Sequence, residues 1–458
     1  MVLAVALGSL VALAALSYAG RGFLERRARQ AVFSLRRRFR ARIDRFKRRR
    51  KAEVRESLLA DPAIAEAVRA HAAASGEGEE RAWGRVREYL DEILPSFNLL
   101  SYYHLGHRVA RVLVPLLYKV SVGYEAREAL NAIPRDSAVV YLMNHRSNAD
   151  YVVVAYVLSG DVALSYAVGE WARVWPLETV FKSFGSYFVR RGYREALYHK
   201  VLERYVQLIT RHGVTQGVFL EGGLTRDGRF REPKLGILDY LVRVKREPGF
   251  RRPLHVIPVA INYDRVLEDR SLLRESQDES QRLTRREQVA EVASYALKVS
   301  ARFLLRRAKR YGRACVNFGA PLSVDAWLAA RPGVLDLSKE ERLPRLQELA
   351  DEVMSRIAAI MPVTAVSLAA AALLRHEGRS LSRARWEATL DGLRAVLRGR
   401  GAHVIGEERT SGEILDRALV MLTLRRVVER EGDGFHLDRA QDPLLRYYAN
   451  SIAHFFAP

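Results

Sequence analysis

The sequence predicts an α/β fold, a central sheet with flanking helices, set between an N-terminal apolar segment and helical regions at both ends. Three observations predict it. From about residue 116, short runs rich in Val, Tyr and Phe alternate with longer amphipathic segments, the rhythm of strands and covering helices. On either side of that stretch the apolar residues recur at helical spacing. Finally, 49% of the 458 residues are hydrophobic, and they fall in runs too periodic for a disordered chain.

The chain begins with 19 residues, 2–20, that carry no charge. As a helix they would extend about 28 Å, close to the hydrocarbon thickness of a bilayer. No Lys or Arg precedes them, whereas residues 21–51 hold fifteen basic side chains and two acidic ones, Glu25 and Asp44. That order favours an uncleaved membrane anchor at 1–20 over a secretory signal, although Ser17-Tyr18-Ala19 is a passable cleavage site. It also keeps the remainder on the cytoplasmic side of the membrane. Within the basic stretch Val32, Leu35, Phe39, Ile43 and Phe46 form one apolar stripe. Residues 21–51 are therefore expected as a basic amphipathic juxtamembrane helix lying on anionic membrane lipids.

Residues 52–115 read as a helical region, broken at Ser75-Gly76-Glu77-Gly78-Glu79 and at Pro95. The α/β domain is expected over 116–325, with strands at 138–143, 163–168, 187–189, 218–220, 255–261 and 315–318. Helices fill the gaps, for example 194–211 and 294–311. Residues 326–458 return to helix as a C-terminal domain. There, 357–374 is an uncharged run of 18 residues, but Pro362 and its Ala and Ser content favour a buried helix over a second membrane span. A helix at 414–427 followed by a hairpin over 428–437 resembles a winged helix, a module that suits DNA or serves as a structural cap.

Composition narrows the chemistry. The 75 Lys+Arg against 53 Asp+Glu leave +22, with a pI near 10.2, which calls for a polyanionic partner. Of that charge +13 belongs to 21–51 and +9 to everything else. The single cysteine, Cys315, excludes an internal disulfide framework and a Cys-rich zinc site.

The strand at 138–143 runs into Asn144-His145-Arg146-Ser147-Asn148-Ala149-Asp150. A His just beyond the carboxyl end of a strand lies where open α/β folds bind ligands. Its imidazole can take a proton from a hydroxyl near neutral pH, and a carboxylate on Nδ1–H fixes the tautomer. Asp150 reaches back to it if the intervening residues begin a helix. Three later segments add to this pair. Tyr187-Phe188-Val189 ends in Arg190-Arg191, and Phe219-Leu220 ends in Glu221-Gly222-Gly223-Leu224-Thr225-Arg226. The strand Val256-Ile257-Pro258-Val259-Ala260-Ile261 is interrupted by Pro258, which implies a sheet edge or a bulge. Glycines allow close backbone approach to a ligand, and arginine forks match phosphate oxygens. A base beside strand-end cations suggests a phosphorylated alcohol as nucleophile.

In this order and spacing the four segments resemble the four blocks of the glycerolipid acyltransferase superfamily. Several details are similar to its bacterial glycerol-3-phosphate acyltransferases. These are His145-Arg146-Ser147 with Asp150-Tyr151, Pro233-Lys234-Leu235-Gly236, and Asn262-Tyr263-Asp264-Arg265-Val266. The tail matches too, in Met361-Pro362-Val363-Thr364 and Tyr447-Tyr448-Ala449-Asn450-Ser451. The resemblance implies that His145 deprotonates the 1-hydroxyl of glycerol 3-phosphate, which attacks the thioester of acyl-CoA or acyl carrier protein, with Asp150 orienting the imidazole. It implies that Arg190 or Arg191, with Arg226, holds the phosphate. Glu221, Gly222 and Gly223 shape the site, Pro258 belongs to the fourth block, and Lys234 is a further cation. No metal or redox cofactor is implied.

One position departs from the pattern. Leu224 stands where the bacterial enzymes carry Arg, so Arg229 and Arg231 become candidate replacements, and 1-acylglycerol 3-phosphate and dihydroxyacetone phosphate stay open as acceptors. A membrane-tethered nucleic-acid-binding protein is the reading from a different class. The ordered blocks rank nucleic acid last among the partners.

Overall fold

The computed structural model describes residues 51–95, 107–158, 162, 164–173, 177–183, 185–190, 192–277 and 311–457. The anchor expected over 1–20 and nearly all of the basic helix of 21–51 lie outside them, as do Arg191 and the helix expected over 294–311 apart from Tyr311. No helix among the described residues is long and apolar enough to cross a membrane.

Among the described residues the core is an eight-stranded mixed sheet. Its strands are β1 (Lys119–Tyr124), β2 (Ala138–Met143), β3 (Ser165–Gly169), β4 (Tyr187–Val189), β5 (Gln216–Phe219), β6 (Leu254–Tyr263), β7 (Arg313–Phe318) and β8 (Leu322–Ser323). They lie in the order β1-β7-β6-β2-β5-β3-β4, with β8 paired to β6. β2 runs parallel to both β5 and β6, and all six of its residues are buried. That suits Ala-Val-Val-Tyr-Leu-Met, an unbroken apolar run rather than an alternating one, as expected of a strand covered on both faces.

Of the two expectations for Pro258, a sheet edge is corrected by the pairing, while the ladder is irregular there, two residues of β6 (257–258) lying opposite three (319–321). β6 is interior, parallel to β2 and antiparallel to β7 and β8. Pro258 falls in the gap where the second partner changes. β8 pairs with His255 and Val256, and β7 takes over from Val259. Only the Pro258 carbonyl is used there, accepting from Gly319 N–H at 2.9 Å. A residue without an N–H costs the ladder nothing at such a junction. The short β1, which alternates weakly, escapes the sequence pattern altogether.

The helical segment before the sheet is signalled locally. Asp61 caps Pro62–Ser75, with proline in the first turn, and Gly76 closes it at φ 72°. This helix and Glu79–Ile93 pack on Ala196–Arg211, where Arg204 binds Asp61 at 2.7 Å.

Capping boxes start three helices of the C-terminal region: Ser338/Glu341 for Lys339–Ala359, Thr364/Ser367 for Ala365–Leu373, and Thr410/Glu413 for Ser411–Leu424. The uncharged run of 357–374 is thus two helices broken around Pro362. All nine residues of Ala365–Leu373 are buried, wrapped by Arg383–Gly399, Ser411–Leu424 and Asp442–Asn450. After Ser411–Leu424 come β10 (Val428–Glu431) and β11 (Gly434–Leu437), which form an antiparallel hairpin. β11 also pairs with β9 (Ser380–Ser382), so the hairpin is part of a small three-stranded sheet.

This region is welded to the large sheet. Asn262 Nδ2 donates to the Pro362 carbonyl at 2.9 Å, and the buried pair Arg342–Asp239 joins the region to the helix Leu235–Arg243 at 2.8 Å. Tyr448 OH donates to Asp269 at 2.6 Å, and Arg425 pairs with the same carboxylate.

Candidate active site

β2 delivers Asn144 at its end, and Asn144 is fixed to β6 by reciprocal bonds with Ile261, 3.0 Å to its carbonyl and 2.8 Å from its N–H. The chain then turns, and the helix Asp150–Val157 begins. This places the Asp150 carboxylate back over the turn. Its Oδ2 meets His145 Nδ1 at 2.9 Å and accepts the backbone N–H groups of Arg146 (2.8 Å) and Ser147 (3.0 Å). Its Oδ1 accepts from Tyr263 OH at 2.5 Å. His145 and Asp150 are 1% and 0% exposed. Charge-assisted bonds of this number hold a carboxylate in one rotamer.

The imidazole is held on its faces as well. Phe219, the last residue of β5, stacks on it with centroids 3.9 Å apart, and Tyr151 meets it edge-on at 5.5 Å. With Nδ1 committed to Asp150, proton transfer belongs to Nε2.

A second carboxylate supports the same turn from outside. Glu268, in the loop after β6, accepts from Ser147 Oγ at 2.7 Å and from Asn148 N–H at 3.2 Å. Burial, with the neighbouring Asp150 charge, pushes its carboxyl up to about 7. Tyr263 lies within the recognised Asn262–Val266 block and Glu268 two residues past it, but neither was legible as a site residue. Their partners are more than a hundred positions away, so no local spacing exposes them.

β5 brings in the glycine turn. Leu220 N–H bonds the Met143 carbonyl and Thr225 N–H bonds the His145 carbonyl, both at 3.0 Å, so the two loops are laced together. Gly222 has φ 66°, and a Cβ there would stand 2.8 Å from Lys234 Cγ. Gly223 is buried within the turn. Glu221 is 2% exposed, and burial raises its carboxyl to about 8 against the pull of Arg146 and of backbone N–H groups of Arg231 and His145. It is therefore a neutral acid at neutral pH.

The proposed cations are distributed unequally. Arg190 is bound by Glu92, its Nε at 3.0 Å and its Nη2 at 2.6 Å, within a cage of Tyr89, Tyr193 and Tyr198. Arg226 pairs with Glu275 at 3.5 Å. Arg231 spans back to the Leu224 carbonyl at 3.2 Å, and Arg229 and Lys234 are exposed. Pro258 lies in β6 opposite Leu142, so it reaches the site through β2. Arg146, unassigned from sequence, is buried at 2%, donates Nη1 to the Gly228 carbonyl at 2.9 Å and lies over the Tyr447 ring at 5.1 Å. Among the described residues no group of three His, Cys, Asp or Glu is arranged to hold a metal ion.

Two family models match the chain. Residues 126–262 match the family model described as Acyltransferase, and 286–458 match that of the glycerol-3-phosphate acyltransferase C-terminal region. The glycerol-3-phosphate acyltransferase of Aeromonas hydrophila subsp. hydrophila is 30% identical over 413 residues, 88% of this chain and 49% of that one. Over most of its length the chain is similar to glycerol-3-phosphate acyltransferases. A second relative of the same name, from Pasteurella multocida, is 28% identical over 416 residues, covering 87% of this chain and 49% of its own. The chain thus spans about half the length of the curated relatives it matches. The crystal structure of the 1-acyl-sn-glycerophosphate acyltransferase PlsC from Thermotoga maritima aligns with 63% of this chain and 91% of that one. The identity there is 17% and the TM-score 0.31.

Proposed function

We propose that this chain transfers a fatty acyl group from a thioester to the 1-hydroxyl of glycerol 3-phosphate, in the first step of phospholipid synthesis. The observation that carries the reading is the Asp150 carboxylate on His145 Nδ1, 2.9 Å away and itself locked by two backbone N–H groups. His145 Nε2 takes the hydroxyl proton as the oxygen attacks the thioester carbonyl. Asp150 stabilises the imidazolium that forms. Collapse of the tetrahedral intermediate breaks the C–S bond, and the imidazolium returns the proton to the departing thiol of CoA or acyl carrier protein. The family resemblance supports glycerol 3-phosphate as acceptor, with Arg226 and Lys234 at the mouth of the glycine turn.

The work site is the cytoplasmic face of the inner membrane. The uncharged residues 2–20 beside the +13 segment support this, because anionic lipids attract such a segment by about 1 kcal/mol per basic group.

The test is turnover of labelled glycerol 3-phosphate by membrane-reconstituted protein, with acyl-CoA and with acyl carrier protein in turn. His145→Ala is expected to lower kcat by about 10³-fold. Wild-type turnover by that variant would remove the mechanism.

A further inference from the structure

Arg146 has more hydrogen-bonding capacity than the protein uses. Among the described residues it is the one arginine with two buried side-chain nitrogens, Nε and Nη2, that have no hydrogen-bond partner. Those two share one edge of the guanidinium, the edge that grips an oxyanion side-on. Arg190 uses the same edge on Glu92. Leaving both groups unsatisfied at 2% exposure is costly, so the position calls for a partner.

The surroundings restrict what that partner is. Arg146 is the strongest charge acting on Glu221, whose Oε2 is also buried without a hydrogen-bond partner. A neutral Glu221 is a hydrogen-bond donor, not a counter-ion. The ring of Tyr447 covers the guanidinium, and Nη1 is spent on the Gly228 carbonyl, so the free edge is held in one orientation. Arg146 directly follows His145, and its own N–H lies on Asp150. Two N–H groups and a carboxylic acid, one residue from the base, are complementary to an oxyanion. Meanwhile Arg190 is occupied by Glu92, Arg226 faces Glu275, and Leu224 supplies no charge.

We propose that the Nε/Nη2 edge of Arg146, with the Glu221 carboxyl, is the slot that receives the phosphate of the acceptor. The slot rests on the acyl-transfer reading for its substrate. It assigns specificity to a residue of the His145–Asp150 turn itself. Phosphate binding and alignment of the attacking hydroxyl then become one event, because Arg146 and His145 cannot move independently.

Binding of glycerol 3-phosphate, of inorganic phosphate and of glycerol is measured by calorimetry on the full chain, wild type, Arg146→Lys and Arg146→Gln. Steady-state KM values for acceptor and acyl-CoA are measured beside it. Arg146→Gln is expected to weaken glycerol 3-phosphate about 10- to 100-fold, as loss of a charged bidentate contact does, with KM for acyl-CoA nearly unchanged. Arg146→Lys recovers part of the loss, and glycerol binds all three alike. Because Arg146 also pins Gly228, Tyr447→Leu serves as a second variant, removing the stack while keeping the slot, with thermal unfolding followed throughout. Unchanged affinity in Arg146→Gln overturns the proposal, and so does failure of the wild type to bind either phosphate compound. A parallel rise of both KM values that tracks lost stability also overturns it, leaving Arg146 a structural pin. Phosphate binding without turnover in the wild type counts against acyl transfer and leaves the slot standing.

Discussion

Gly228 lies directly against the backbone carbonyl of Tyr447, with no space for a Cβ between them. The contact joins the glycine turn after β5 to the helix Asp442–Asn450, and it is reinforced by Asn450 Nδ2 on the Asp227 carbonyl at 2.9 Å. The C-terminal region therefore closes over the active site rather than merely following it.

Gly228→Ala combines φ +87° with a direct overlap on Tyr447. It is expected to cost at least about 2 kcal/mol and to lower turnover, read by denaturant unfolding and by assay. Gly249→Ala, at φ +77° but in open space, is the control and should cost about 1 kcal/mol.

Tyr263 OH is the donor to the second oxygen of Asp150. Tyr263→Phe removes it without changing the fill of the core, and kcat should fall about 10-fold. Asp150→Asn frees the tautomer of His145 and should cost about 10³- to 10⁴-fold. A Tyr263→Phe enzyme with wild-type kcat would show that the hydroxyl contributes only packing.

Glu268 holds Ser147 Oγ and Asn148 N–H, so Glu268→Gln faces an amide donor toward one of them. Its carboxyl ionises at about 7, and the ionised form is the better acceptor for both donors. Activity of the wild type should rise with pH through that value, as the turn tightens. In Glu268→Gln that limb of the pH profile should disappear, and a retained limb would assign it to another group.

Stability should move the other way. Glu221 and Glu268 are raised from 4.5 to about 8 and about 7, so the folded chain holds protons that the unfolded chain has released. Each group's contribution is fully present below pH 4.5 and is lost as pH rises through its folded value. Midpoints of urea unfolding should fall between roughly pH 4.5 and 8, and less so in Glu221→Gln.

Arg190→Lys gives up the paired contact with Glu92 and the cage of three tyrosines. An anchoring role predicts a lower melting temperature with the acceptor KM within about 3-fold of wild type, and a phosphate role predicts the reverse.

The sequence by itself determined what depends on near neighbours. Apolar runs marked β2 and β6 as strands. The helix starts at Asp61, Ser338, Thr364 and Thr410 are fixed locally, since caps act within three residues. His145 and Asp150 were legible because five positions are enough for a strand end and a helix start to bring them together. Tertiary structure alone decided the rest. Pro258 reads as an edge residue until two partner strands are seen to change over at it. Arg190 reads as a ligand for phosphate until Glu92, almost a hundred residues earlier, is found in its fork. Tyr263, Glu268 and Tyr447 reach the catalytic turn only because the sheet and the C-terminal helices fold back over it. Hydrogen-bond partners of that kind are chosen by topology, and no spacing along the chain encodes them.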